Sequence, residues 1–160
     1  KIIKETKCDG VKLEGGKKII KQVKFLMKNK IPVMGHLGLL PQSTKGKFKS
    51  KGKYSREIKQ LISDALSLQR EGVFAIVLEC VKSSVAKQIT KSLSIPTIGI
   101  GSSVFCDGQV LVTDDLLGLN QTKIKFVKRF LNLKKHINIG LRKFSSEVKS
   151  KKYPSKKHSY

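Results

Sequence analysis

Short apolar runs recur along the chain, separated by longer stretches in which apolar residues return every three or four positions. The short runs predict strands and the longer stretches predict helices. Five segments qualify as strands: Val11-Lys12-Leu13-Glu14, Pro32-Val33-Met34-Gly35-His36-Leu37, Ala75-Ile76-Val77-Leu78-Glu79, Ile95-Pro96-Thr97-Ile98-Gly99-Ile100 and Gln109-Val110-Leu111-Val112. Helical spacing appears at Ile19, Ile20, Val23, Phe25, Leu26 and Met27, and again at Ile58, Leu61, Ile62, Ala65, Leu66 and Leu68. A third helix is predicted from Val85, Ala86, Ile89 and Leu93, and a fourth from Ile124, Phe126, Val127, Phe130 and Leu131. Strand and helix therefore alternate, which predicts right-handed βαβ units and a parallel sheet.

The first three strands each carry a charged or imidazole side chain at or near the C-terminal end. That is where parallel sheets and barrels place their chemistry. The pattern points to an α/β enzyme whose strand ends converge on one polar pocket. A complete (β/α)8 TIM barrel takes about 250 residues, whereas this chain has 160. The expectation is a partial TIM barrel, the C-terminal part of a larger one. An open five-stranded α/β domain is the alternative. Residues 1–134 would form the catalytic domain and 135–160 a C-terminal helix and tail. The helix is expected to end near Tyr153-Pro154, with a short extended terminus after it.

Charge alters this picture less than its size suggests. The chain holds 34 Lys+Arg against 11 Asp+Glu, a formal net charge of +23. A polyanion partner would account for such an excess. The lysines, however, are scattered over every predicted helix and loop, with concentrations at 45–53 and 149–157, and no aromatic stacking platform accompanies them. Compositional drift accounts better for that distribution, and nucleic-acid binding is kept as a rival. Cys8, Cys80 and Cys106 are odd in number and show neither C-x-x-C nor metal-ligand spacing, so neither a zinc site nor a disulfide scaffold is indicated. No apolar run reaches membrane-spanning length and no signal peptide is visible, so a cytoplasmic location is expected.

Four side chains carry the candidate chemistry. Lys12 and Glu14 are two apart on one strand and share a face, leaving Val11 and Leu13 to pack beneath the helices; a surface ion pair on an edge strand is the plainer reading. His36 closes the second strand between Gly35 and Gly38, glycines that would let the backbone approach a ligand closely. It is either a substrate-orienting group or a structural hydrogen-bonder. Glu79 ends a run that is apolar on both faces, as buried parallel strands are. Partial desolvation there raises a carboxyl pKa and suits it to act as a base. The alternative role for Glu79 is to cap the next helix near Ser83-Ser84.

The strings Val11-Lys12-Leu13-Glu14-Gly15-Gly16, Pro32-Val33-Met34-Gly35-His36-Leu37-Gly38-Leu39 with Pro41-Gln42-Ser43, and Phe74-Ala75-Ile76-Val77-Leu78-Glu79-Cys80-Val81 closely resemble the ketopantoate hydroxymethyltransferase family. So do Ile95-Pro96-Thr97-Ile98-Gly99-Ile100-Gly101 and Cys106-Asp107-Gly108-Gln109-Val110-Leu111-Val112. The tail, with Glu147-Val148-Lys149, Tyr153-Pro154 and His158-Ser159-Tyr160, is similar as well. Two loops depart from the pattern. The family commonly has Ala-Gly where this chain has Ser102-Ser103, and a more glycine-rich loop at Gly46-Lys47-Phe48.

The resemblance implies a (β/α)8 barrel, of which this chain supplies approximately strands four to eight. It implies transfer of a hydroxymethyl group from 5,10-methylenetetrahydrofolate to 3-methyl-2-oxobutanoate, giving 2-dehydropantoate on the route to pantothenate. By the same resemblance Glu79 is the proton acceptor, Glu14 ligates or positions Mg²⁺, Lys12 and His36 bind the keto acid, and Ser43 contributes more weakly. Two further metal-binding aspartates would lie on earlier strands absent here, so the chain is expected to be incomplete for activity. A homo-oligomer is also implied. A related Mg²⁺-dependent keto-acid lyase or transferase of the same barrel superfamily is the remaining alternative.

Overall fold

The computed structural model describes residues 2–44, 49–120 and 123–160. The Gly46-Lys47-Phe48 loop and Lys45 lie outside the described residues. The chain divides into two compact units, Lys1–Val110 and Leu111–Tyr160.

The first unit begins with a short helix α1 (Ile2–Thr6), followed by β1 (Val11–Glu14), α2 (Ile20–Lys28), β2 (Val33–Gly38), α3 (Ser55–Arg70), β3 (Ala75–Glu79), α4 (Ser83–Ser92), β4 (Thr97–Ile100) and β5 (Gly108–Gln109). The five strands form one sheet in the order β1-β2-β3-β4-β5, with every neighbouring pair parallel. Right-handed crossovers between strands that never reverse order put their helices on one face. That face holds the core. Val23 of α2, Leu61, Ala65 and Leu68 of α3, and Val85, Ala86 and Ile89 of α4 pack against Val33, Leu37, Ile76 and Leu78. Val11 and Leu13 lie against the same cluster, as their alternation with Lys12 and Glu14 predicts.

Three of the helices follow the apolar spacing closely. α3 stops at Arg70 because Gly72, at φ +88°, takes the left-handed conformation that ends a helix. Asp64, buried on α3, accepts hydrogen bonds from the Lys17 amide at 3.0 Å and Gln60 Nε2 at 2.8 Å. It thereby ties the turn after β1 to the helix. Gly35 and Gly38 are each required by packing within the chain. A side chain on Gly35 would press on Leu68, and Gly38, at φ +99°, leaves room for the Glu79 carbonyl and Val81.

The second unit contains α5 (Thr113–Leu116), the long helix α6 (Leu133–Lys149) and a 3₁₀ turn at Lys156–His158. Two sequence expectations give way at this end of the chain. The predicted strand at 109–112 is reduced to Gly108–Gln109, because β4 ends at Ile100 and turns away at Gly101, φ +61°. The predicted helix around Ile124–Leu131 does not form. There the Phe130 and Leu133 amides donate to the Leu116 and Leu117 carbonyls at 2.9 Å, so this segment satisfies the end of α5 rather than its own ladder. α6 ends at Lys149, earlier than the expected Tyr153-Pro154 boundary. Among the described residues no helix is long and apolar enough to cross a membrane.

Candidate active site

Register brings the candidate side chains together. Glu14 pairs with His36 and His36 with Val77, so these three residues stand abreast on one face of the sheet. Glu79 lies two residues beyond Val77 and shares that face. The imidazole of His36 is sandwiched: Nδ1 is 3.7 Å from Glu14 Oε1, and Nε2 is 3.2 Å from Glu79 Oε2. His36 is 1% exposed, and its flanking carboxylates only 9% and 14%. Despite these short distances, neither ring nitrogen finds a hydrogen-bond partner in good alignment among the described residues. A buried polar group without a partner costs about 1–3 kcal/mol.

Electrostatics follow from burial and from Lys12. Burial holds the His36 pKa below its ordinary 6.5, and the Lys12 charge lowers it further, against the opposing pull of Glu14 and the Leu39 backbone. Glu79 moves the other way. Burial raises it above the ordinary 4.5 and the Glu14 charge adds to that, while Lys12 opposes. Lys12 itself is exposed and forms no ion pair among the described residues, so the plainer Lys12–Glu14 surface pair is absent. Glu79 does not cap α4, whose N-cap position, Lys82, has no side-chain capping bond.

The surrounding backbone is arranged around Glu79. Its carbonyl accepts the Leu39 amide at 2.8 Å, and the following residue, Cys80, is left-handed at φ 53° and donates to the Ile100 carbonyl at 2.9 Å. Burial, followed by the Glu79 charge, raises the Cys80 thiol pKa and keeps it protonated. Ser102 Oγ donates to the Leu78 carbonyl at 2.6 Å and accepts the Val81 amide at 3.1 Å. The site therefore includes a serine that the sequence pattern did not single out as functional. Its signal was the departure at Ser102-Ser103. Ser43 is exposed, and its hydroxyl meets no hydrogen-bond partner among the described residues. Its neighbour Gln42 is the one that reaches the site, donating its amide to Glu14 Oε2 at 3.1 Å.

A magnesium ion takes about six oxygen ligands. Among the described residues no group of three His, Cys, Asp or Glu side chains converges to hold a metal. Glu14 offers one carboxylate, and His36 separates it from Glu79. These residues do not by themselves make a Mg²⁺ site.

The profile of one protein family, described as ketopantoate hydroxymethyltransferase, matches residues 1–156. The chain belongs to the ketopantoate hydroxymethyltransferase family. It is 61% identical over all 160 residues to the 3-methyl-2-oxobutanoate hydroxymethyltransferase of Pelagibacter ubique (strain HTCC1062), covering 62% of that protein. Proteins of the same name from Clostridium botulinum (strain 657 / Type Ba4) and Rhizobium etli (strain ATCC 51251 / DSM 11541 / JCM 21823 / NBRC 15573 / CFN 42) are 46% and 44% identical, each across the whole chain. The chain covers 59% and 60% of those two. It thus spans about three-fifths of the length of the curated hydroxymethyltransferases it matches.

Proposed function

We propose that this chain carries the proton-transfer face of a hydroxymethyltransferase acting on 3-methyl-2-oxobutanoate, with 5,10-methylenetetrahydrofolate as the one-carbon donor and 2-dehydropantoate as the product. The observation that carries the reading is Glu79, a desolvated carboxyl with a raised pKa, 3.2 Å from an imidazole nitrogen that has no well-aligned partner. Family membership and the names of the relatives support it.

In this reading the keto acid lies over the face shared by Lys12, Glu14, His36 and Glu79. Glu79 takes the C3 proton, and the electron pair of the C–H bond becomes that of the enolate. A carboxylate with a raised pKa is a stronger base than an ordinary one and loses less driving force in that transfer. Lys12 supplies a cation for the substrate carboxylate, and the ring nitrogens of His36 orient the oxo group. The enolate carbon then bonds to the donor's methylene carbon; both C–N bonds of that carbon break in turn, water supplies the hydroxyl oxygen, and the two folate nitrogens take up the C3 proton and the water's other proton. Mg²⁺, as the resemblance implies, would polarise the keto acid; Glu14 would give it one oxygen, and its other ligands would come from outside this chain. We further propose the sheet as five consecutive strands of a (β/α)8 wall, in a cytoplasmic homo-oligomer.

The test is Glu79→Gln in the full-length protein, followed by exchange of the substrate C3 proton with deuterated solvent. Exchange and hydroxymethyl transfer should both fall by about 10²–10⁴-fold, the range typical of general-base loss. Keto-acid binding should change little. Exchange at the parent rate would remove Glu79 from the role. Dependence of product formation on the folate donor separates this enzyme from a related lyase.

A further inference from the structure

Two consecutive glycines carry the chain away from the catalytic face. Glu14 is followed by Gly15, at φ +129°, and Gly16, so the backbone beyond it has the freedom of two residues without Cβ atoms. The ladder between β1 and β2 ends at Glu14 against His36, and the Gly15 amide adds one bond to the His36 carbonyl at 3.0 Å. The next restraint comes from the helical layer. Asp64, buried on α3, accepts the Lys17 amide at 3.0 Å, and its carboxyl fills the space that a side chain on Gly16 would need. Gln60 Nε2, one helical turn earlier, donates to the same oxygen at 2.8 Å and braces the carboxylate.

We infer that Asp64 is a positioning residue for Glu14: by clamping the Gly16-Lys17 turn, its carboxylate holds the end of β1 and thereby the Glu14 side chain against the His36 ring. This rests on the proton-transfer face proposed above. Glu14 Oε1 stands 3.7 Å from Nδ1 on one side of the imidazole and Glu79 Oε2 stands 3.2 Å from Nε2 on the other, so the setting of the ring depends on both carboxylates. Asp64 touches neither the ring nor the substrate face and acts through the backbone alone. Lys17 is exposed, so water takes its amide when Asp64 is removed. What is lost is therefore the anchor rather than the hydrogen bond, and the two glycines pass that freedom back to Glu14. A displacement of about 1 Å at a catalytic site costs up to about 10²-fold in rate. With the ladder to β2 intact, a loss of about 10-fold is expected.

Ser67 provides the control. It is a second buried polar residue of α3, and its hydroxyl donates to the Ser63 carbonyl at 2.7 Å and accepts from Arg70 Nη2 at 3.2 Å, all within the helix. The experiment compares Asp64→Leu, Asp64→Asn and Ser67→Ala in the full-length protein by C3 proton exchange and by amide hydrogen exchange, and repeats Asp64→Leu in a Glu14→Gln background. Asp64→Leu keeps the bulk without an acceptor; it should lower kcat for C3 exchange about 10-fold with KM nearly unchanged, and the Lys17 amide should lose protection. Asp64→Ser, whose hydroxyl is one bond too short to reach that amide, should show the same loss even if the leucine variant does not fold. Asp64→Asn keeps an acceptor oxygen and should restore kcat; Ser67→Ala should keep it. In Glu14→Gln, adding Asp64→Leu should cost nothing more, because both changes act through one side chain. Parent kcat in the leucine or serine variant would overturn the inference, as would an equal loss in Asp64→Asn or Ser67→Ala, or full additivity with Glu14→Gln. If Glu79→Gln leaves exchange intact the base assignment itself is wrong and this inference falls with it; loss in Glu79→Gln with parent kcat in Asp64→Leu refutes the inference alone.

Discussion

The unit ending at Val110 and the unit beginning at Leu111 use the same kinds of apolar residue in opposite ways. In the first, Ile, Val and Leu from three strands and three helices meet in a continuous core, with Ile76, Leu78, Leu68 and Ile89 fully buried. In the second, α6 buries none of its side chains within the described structure. Its apolar residues are nevertheless ordered: Ile137, Leu141, Phe144 and Val148 recur at helical spacing along one stripe, with Leu141 61% and Phe144 55% exposed. A stripe of that regularity is what a helix needs to pack. The first unit therefore spends its periodicity on an internal core, and the second presents it outward.

Truncation of side chains separates the two regimes. Ile76→Ala should destabilise the 160-residue chain by about 2–5 kcal/mol, because it empties a site closed by both the sheet and α3. Phe144→Ala should change the same chain by about 1 kcal/mol or less, since its ring is 55% exposed and meets only Tyr153 edge-on at 5.5 Å among the aromatic rings of the described residues. Denaturant unfolding of both variants measures the contrast. A Phe144 cost comparable to that of Ile76 would mean that the α6 stripe is covered in solution and that the comparison drawn here is wrong.

A smaller effect belongs to the start of α6, where the Asn132 side chain accepts the Lys135 amide at 3.2 Å. It is the only side-chain N-cap among the described helices with assigned caps. Since packing contributes so little to this helix, its cap matters more. Asn132→Ala should cost about 1 kcal/mol, seen as loss of helical circular dichroism at lower temperature, with the sheet of the first unit unaffected. Loss of both together would show that the two units unfold as one.

The same contrast explains which parts were legible from sequence. In the first unit the strand ends were readable because Lys12 and Glu14 alternate with Val11 and Leu13, and because Ala75–Leu78 is apolar on both faces, patterns that burial enforces. The convergence of Glu14, His36 and Glu79 followed from them. The wedging of His36 between the two carboxylates did not, since register between strands is not written in any one strand. Ser102 was hidden for a similar reason: its partners, Leu78 and Val81, are 24 and 21 residues away. In the second unit the apolar spacing of Ile124–Leu131 suggested a helix, and the lysines and arginine among those residues do not argue against one. Backbone bonds to Leu116 and Leu117 decided the outcome instead. Ser43 was chosen from its motif, while the amide beside it makes the contact with Glu14.

The smallest expected effect is on the pH dependence of stability, and it belongs to the first unit alone. The Glu79 pKa is raised above 4.5, chiefly by burial, so the folded state holds that proton more tightly than the unfolded chain does. Its contribution to stability is complete below pH 4.5 and is lost as pH rises through the folded value. His36 has the opposite sign: its pKa is lowered from 6.5, so its contribution is present above pH 6.5 and lost as pH falls through the folded value. The two partly cancel in the parent protein. Glu79→Gln removes the first and relieves His36 of a neighbouring carboxylate. The Tm of Glu79→Gln relative to the parent should therefore rise as pH goes from 4 to 7, making the variant comparatively more stable where the parent carboxylate is ionised. Thermal melts across that range decide it. A difference that is flat, or that grows toward acid, would mean that Glu79 is not held in a desolvated site and would also remove the physical ground for its strength as a base.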